Sequence, residues 1–107
     1  MINRRGAPRF PIVLLAELTE LLSQSTSSGR TSDISRTGCY IDSLHPFSAG
    51  SKILITLKWG DETFESHAKV VYVTPRLGMG IAFDDPLSKG QMEILERMIA
   101  VAAREIP

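Results

Sequence analysis

Asp33-Ile34-Ser35-Arg36-Thr37-Gly38 sets an acid and a hydroxyl two residues apart, with a glycine three further on. In extended chain, residues i and i+2 point the same way. Asp33 and Ser35 therefore present an acceptor and a donor on one face, while Ile34 turns to the core. Gly38 has no Cβ, so its backbone can take φ > 0 or approach a ligand closely. The same residue types also build ordinary turns. What gives them a second use is a cluster of arginines near the other end of the sequence. Arg5 and Arg9 lie four apart, Arg4 directly precedes them, and residues 1–16 contain no acid.

The chemistry of this set is that of anion and base recognition. A guanidinium is a planar fork that matches phosphate and also stacks on flat rings. A carboxylate accepts bonds from the N–H groups of a guanine edge, and a hydroxyl or backbone N–H serves a phosphate. The expected ligand has an anionic part and an aromatic base. Some two dozen residues separate Arg9 from Asp33, about the length of one hairpin. Such a hairpin returns the chain beside its start and puts arm and turn at one end of the fold.

The elements that must hold these residues are mostly short strands. Pro8 and Pro11 bias the residues before them to extended conformations, so residues 1–10 form a non-helical arm. From Ile12 to Leu22 the pattern fits two periods. Leu14, Leu15, Leu18, Leu21 and Leu22 are spaced for a helix, and local propensity leans that way; Ile12, Leu14, Ala16 and Leu18 fit one face of a strand. Ser23–Ser28 reads as a loop. Strands are expected over Arg30–Ser35, Cys39–Ser43, Lys52–Trp59, Glu62–Val73 and Leu77–Phe83, with turns at His45-Pro46, Ala49-Gly50 and Gly60-Asp61. Gly80 marks a strand that bends at a barrel corner. Met92, Leu95, Met98, Ile99 and Ala102 recur at helical spacing, with Ser88 as N-cap. About six strands and then one helix favour a small antiparallel barrel or sandwich over a parallel α/β fold.

Composition narrows the function. The 107 residues suit one domain. Twelve basic and twelve acidic side chains cancel, so no global field draws nucleic acid or membrane, and any anion site is local. Cys39 is the single cysteine, which excludes an intrachain disulfide and a cysteine-based zinc site and suits a reducing cytosol. His45 and His67 stand apart in the sequence, and a histidine metal ligand needs partners. The apolar run after Pro11 is cut by Glu17 and Glu20, and no stretch nears the roughly 18 apolar residues of a membrane span. No Ser-His-Asp order, metal spacing or phosphate-binding loop points to catalysis. A cytoplasmic, non-enzymatic protein is expected.

Arg5-Gly6-Ala7-Pro8-Arg9 matches RxxxR, and Asp33 to Gly38 matches (D/N)xSxxG. Together these resemble the paired signature of PilZ domains, receptors for the bacterial second messenger cyclic di-GMP. The resemblance extends over nearly the whole chain, through the Arg4-Arg5 doubling, Pro46 followed by Gly50, and Gly80-Ile81-Ala82-Phe83. It implies an all-β fold with a C-terminal helix: a six-stranded antiparallel barrel over 11–107, with the helix at about 88–104 and residues 1–10 as the arginine-bearing arm. It also implies strand rather than helix for 12–22.

The resemblance further implies roles. Arg5 and Arg9 clamp phosphates and guanines, and Arg4 is an auxiliary contact. Asp33 reads a guanine edge. Ser35 bonds phosphate or organises the turn, Gly38 lets the strand pass close to the ligand, and Arg36 is an added basic residue that either touches phosphate or stays solvated. Pro8 departs from a freely flexible arm. The ligand is cyclic di-GMP with no other cofactor, and a downstream partner protein receives the signal; neither a nucleic acid polymer nor membrane insertion is expected. A chain carrying only this domain acts through a partner or is one piece of a larger protein. Two rivals are a PilZ-like interaction domain that does not bind the nucleotide and a small barrel for single-stranded nucleic acid.

Overall fold

A computed structural model describes residues 7–84 and 86–104. Seven strands are followed by one helix: β1 Phe10–Pro11, β2 Leu15–Glu20, β3 Thr26–Ile34, β4 Gly38–Asp42, β5 Lys52–Trp59, β6 Glu62–Thr74, β7 Gly78–Phe83 and α1 Lys89–Arg104. All pairings are antiparallel, in the order β1-β3-β2-β5-β6-β7-β4, and a further β3–β4 pairing closes the sheet on itself. The short β1 and the longer β2 run along the same flank of β3, against Asp33–Ile34 and Thr26–Arg30 respectively. Counted as one broken strand, they make the barrel six-stranded and leave no long open edge.

The helical lean over 12–22 is overturned. Residues 15–20 are strand, because Leu14, Ala16 and Leu18 are buried while Leu15 is 63% exposed. Leu22, on the would-be helical stripe, is 94% exposed. The buried set alternates with period two and meets Leu57 and Ile55 across the ladder. Packing on both flanks decides the element over local propensity. The expected loop at 23–28 is shorter than read, since β3 begins at Thr26. Its hairpin is tied by Glu20, whose carboxylate accepts from Ser23 Oγ at 2.5 Å and from the Ser23 amide at 2.9 Å.

Elsewhere the period-two strands stand where the pattern puts them. β5 buries Ile53, Ile55 and Leu57, and Gly60 at φ 60° makes the tight turn into β6. Ser88 caps α1, its hydroxyl accepting from the Gln91 amide at 3.2 Å. Leu95, Met98 and Ala102 carry the helix's buried stripe, and the first two join the barrel core with Phe64 and Phe83. Gln91 accepts from the Glu65 amide of β6, and Arg97 pairs with Glu62. One helix face thus seals the core and the other is polar.

Candidate functional site

The site forms where β1, β3 and β4 meet. A bulge in the β3–β4 ladder is the first device that builds it: Thr31 pairs with Ile41 and Asp33 with Tyr40, so one extra residue, Ser32, sits between them. The extra residue reverses the inward–outward alternation. Thr31 and Ile34, three apart, both point inward, and Asp33 is left half-buried on the outside.

Thr31 does a second job from inside. Its hydroxyl donates to the Ile12 carbonyl at 2.6 Å and accepts from the Leu14 amide at 2.9 Å. This sutures the gap between β1 and β2, where ladder pairing lapses, and so fixes the course of β1. β1 in turn places Phe10 opposite Ile34 and Pro11 opposite Asp33. Arg9, one residue earlier, reaches Asp33: its Nε and one terminal nitrogen lie 3.0 and 2.9 Å from Asp33 Oδ1. Arg9 of the arm and Asp33 of the second motif do come together, and the two charges satisfy each other.

Ser35 is wholly buried and belongs to the turn. Its amide donates to the Gly38 carbonyl at 2.8 Å. Its hydroxyl accepts from the Thr37 and Gly38 amides at 3.1 and 3.2 Å, and lies 3.3 Å from the Gly38 carbonyl. Gly38 is not in the left-handed region. A Cβ there would stand 1.9 Å from the Ile81 carbonyl oxygen. The close approach that the glycine permits is to the backbone of β7, opposite Ala82. Arg36 points toward α1, with its Nε 3.8 Å from Glu96 Oε2, and both side chains are exposed. Arg4 and Arg5 lie outside the described residues.

A cleft of about 530 Å³ opens beside Arg9, walled by Thr37, Gly38, Val71, Tyr72, Ile81 and Ala82. Val71 and Tyr72 were not foreseen from sequence. A second bulge, between Val70 and Tyr72 in the β6–β7 ladder, turns both side chains outward. Tyr72 is half exposed, and its ring lies where a Cβ on Gly80 would be, 2.1 Å from Cε1. Tyr40 packs beside it with ring centroids 6.1 Å apart. Gly80, within the glycine-containing strand read from sequence, makes room for an aromatic platform next to the Arg9–Asp33 pair. Burial pushes the Cys39 thiol far above its ordinary value, and the Asp33 charge nearby adds to this while Arg9 opposes it. Cys39 is therefore an inert core residue.

The cleft thus combines the Arg9 guanidinium, the Thr37 hydroxyl and the exposed Tyr72 ring, with the Asp33 carboxylate bonded to Arg9, groups that suit an anionic ligand bearing a flat base. The family model of the PilZ domain matches residues 3–101. The chain belongs to the PilZ domain family. No curated protein sequence matches it. Among solved structures, the PilZ domain with c-di-GMP of YcgR from Escherichia coli aligns with TM-score 0.79 at 20% identity, covering 95% of this chain and 93% of that one. The PilZ domain of CeSA from a cellulose-synthesizing bacterium aligns at 0.68 and 18%, covering 88% and 96%. The inhibitor of motility MotI/DgrA of Bacillus subtilis aligns at 0.76 and 16%, covering 99% of this chain and 55% of that one. At such identities the likeness speaks for the shared fold. No helix among the described residues is long and apolar enough to cross a membrane.

Proposed function

We propose that this PilZ domain is a non-enzymatic receptor for cyclic di-GMP, held between the arginine arm and the cleft beside Gly38. The observation that carries the reading is the Arg9–Asp33 ion pair beside the Tyr72 platform. It brings one residue from each half of the paired signature to one cleft. The likeness to a YcgR domain solved with c-di-GMP supports the choice of ligand.

Binding exchanges the internal ion pair for ligand contacts. Asp33 turns to the N–H groups of a guanine, and Arg9, with Arg5 and Arg4, holds the phosphates and lies against a base. Tyr72 offers its exposed ring face to a purine. Ser35 keeps the turn in shape, and Arg36 stays with Glu96 as a solvated surface charge. The arm then settles over the nucleotide, and the altered surface is what a partner protein reads.

An NMR titration of the chain with cyclic di-GMP tests this. Amide shifts are expected at Arg9, Asp33 to Gly38, Val71, Tyr72 and Ile81–Ala82. Shifts confined to another face would refute the assigned site. A spectrum unchanged by ligand would leave the family's nucleotide-independent interaction role as the better reading.

A further inference from the structure

A second groove on the barrel is larger than the one beside Arg9. It holds about 700 Å³, and its lining includes Arg30 of β3, Asp42 at the end of β4, Leu44 and His45 after it, and Arg76 and Leu77 of the β6–β7 turn. β4 runs from Gly38 in the proposed nucleotide cleft to Asp42 here. At roughly 3.3 Å per residue the two are about 13 Å apart along that strand.

Three observations mark this groove as a binding surface. First, the β6–β7 turn is closed by the Leu77 amide donating to the Thr74 carbonyl at 2.9 Å, with Pro75 and Arg76 at its centre. Arg76 sits at φ 65°, the position where such a turn favours glycine. A non-glycine residue held in the left-handed region is strained, and strain of this kind gathers at functional positions. Second, the ion pairs among the described residues engage Arg9, Arg36 and Arg97, so Arg30 and Arg76 have none. Asp42 lies across the ladder from Arg30 without forming one. With two guanidiniums against one carboxylate, the groove carries more positive than negative charge. Third, Leu44 and Leu77 are 72% and 64% exposed at its edge.

We propose that this groove docks an acidic segment of a partner protein, its carboxylates meeting Arg30 and Arg76 and its apolar side chains covering Leu44 and Leu77. The proposal rests on the reading that the domain signals through a partner, and it assigns that partner's surface and chemistry. A small anion is the poorer fit, because small-ligand sites enclose most of the ligand and this groove is open with an apolar rim. A lipid surface is also poorer, since anionic membranes are met by clusters of about four to eight basic residues.

Fluorescence anisotropy with the full chain and short labelled peptides tests it, using probes that alternate Glu with Leu, Lys with Leu, and Glu with Ser. The Glu/Leu probe is expected to saturate; the Lys/Leu probe should be weaker by about tenfold or more, one charge-assisted contact's worth, and the Glu/Ser probe weaker by about tenfold through lost apolar burial on Leu44 and Leu77. The double variant Arg30→Glu with Arg76→Glu should lose the Glu/Leu probe by at least that factor and keep its fold. Arg76→Gly should also weaken the probe while melting no lower than the parent, since it relieves strain. No saturation by the Glu/Leu probe, equal binding of the Lys/Leu probe, or indifference to the double variant would overturn the proposal. So would self-association that the double variant abolishes, which assigns the groove to a second copy. Titrating the same samples with cyclic di-GMP separates the two readings. A chain that takes the probe but no nucleotide loses only the receptor reading, and one that takes nucleotide but no probe loses only the groove.

Discussion

Gly38→Ala should destabilise the barrel before it affects any ligand. The added Cβ would stand 1.9 Å from the Ile81 carbonyl oxygen, 3.0 Å from its carbon and 3.2 Å from Ala82 Cα. All three neighbours are backbone, so no rotamer change relieves the contact. Restoring an ordinary separation of about 3.4 Å requires β4 and β7 to part by about 1.5 Å there. A ladder hydrogen bond stretched that far is lost. The neighbouring bond from the Phe83 amide to the Thr37 carbonyl, 2.8 Å, stretches with it. Two such bonds at about 1 kcal/mol each and overpacking of about 1–3 kcal/mol sum to about 3–5 kcal/mol. For a domain of this size each kcal/mol moves Tm by roughly 4–8 °C. A thermal melt followed by circular dichroism should therefore fall by tens of degrees, or the variant should not fold. If Gly38→Ala melted within a few degrees of the parent and only failed to bind, the glycine would serve ligand clearance and the packing argument would be wrong.

Arg9→Ala should behave in the opposite way. Its ion pair with Asp33 is partly exposed, so removal costs about 0.2–1 kcal/mol of stability, read as a Tm change of a few degrees, while cyclic di-GMP affinity drops roughly ten- to a hundredfold. Ser35→Ala should cost about 1–3 kcal/mol, measured by urea unfolding, because the buried Gly38 amide and the partly buried Thr37 amide lose their acceptor. Cys39 makes stability fall at high pH. Its folded thiol titrates far above the unfolded one, near 8.5, so its contribution is intact below about pH 8 and is lost as pH rises, by about 1.4 kcal/mol per unit. The stability gap between the parent and Cys39→Ala should close between pH 8 and 10; a gap constant over that range would contradict the burial argument.

How much of this was legible in the sequence differs from element to element, for physical reasons. β5 and α1 declare themselves because each is long enough for its period to dominate, as Ile53, Ile55 and Leu57 do in one and Leu95, Met98 and Ala102 in the other. β2 does not, because five leucines over 14–22 satisfy two periods and only the neighbours Ile55, Leu57 and the short hairpin choose between them. The arginine arm and the Asp33 turn were visible as motifs, and the meeting of Arg9 with Asp33 followed from the hairpin length between them. The two bulges were not visible. A single extra residue, Ser32 in one ladder and Val71 in the other, reverses which side chains face out, and nothing local marks it. Tyr72 was therefore missed as a wall of the cleft, and Thr31 as the residue that ties β1 to β3. Gly38 was read for its freedom, yet its reason is Ile81, far along the chain and reachable only through the β4–β7 register.

The receptor reading rests on nucleotide binding at the Arg9–Asp33 cleft, and isothermal titration of the chain with cyclic di-GMP measures it. Saturable heat is expected from the parent chain, with affinity falling as salt is added because part of the attraction is between guanidinium and phosphate. Arg9→Ala should bind roughly ten- to a hundredfold more weakly. No heat at high ligand concentration, or equal affinity in the two proteins, would contradict it.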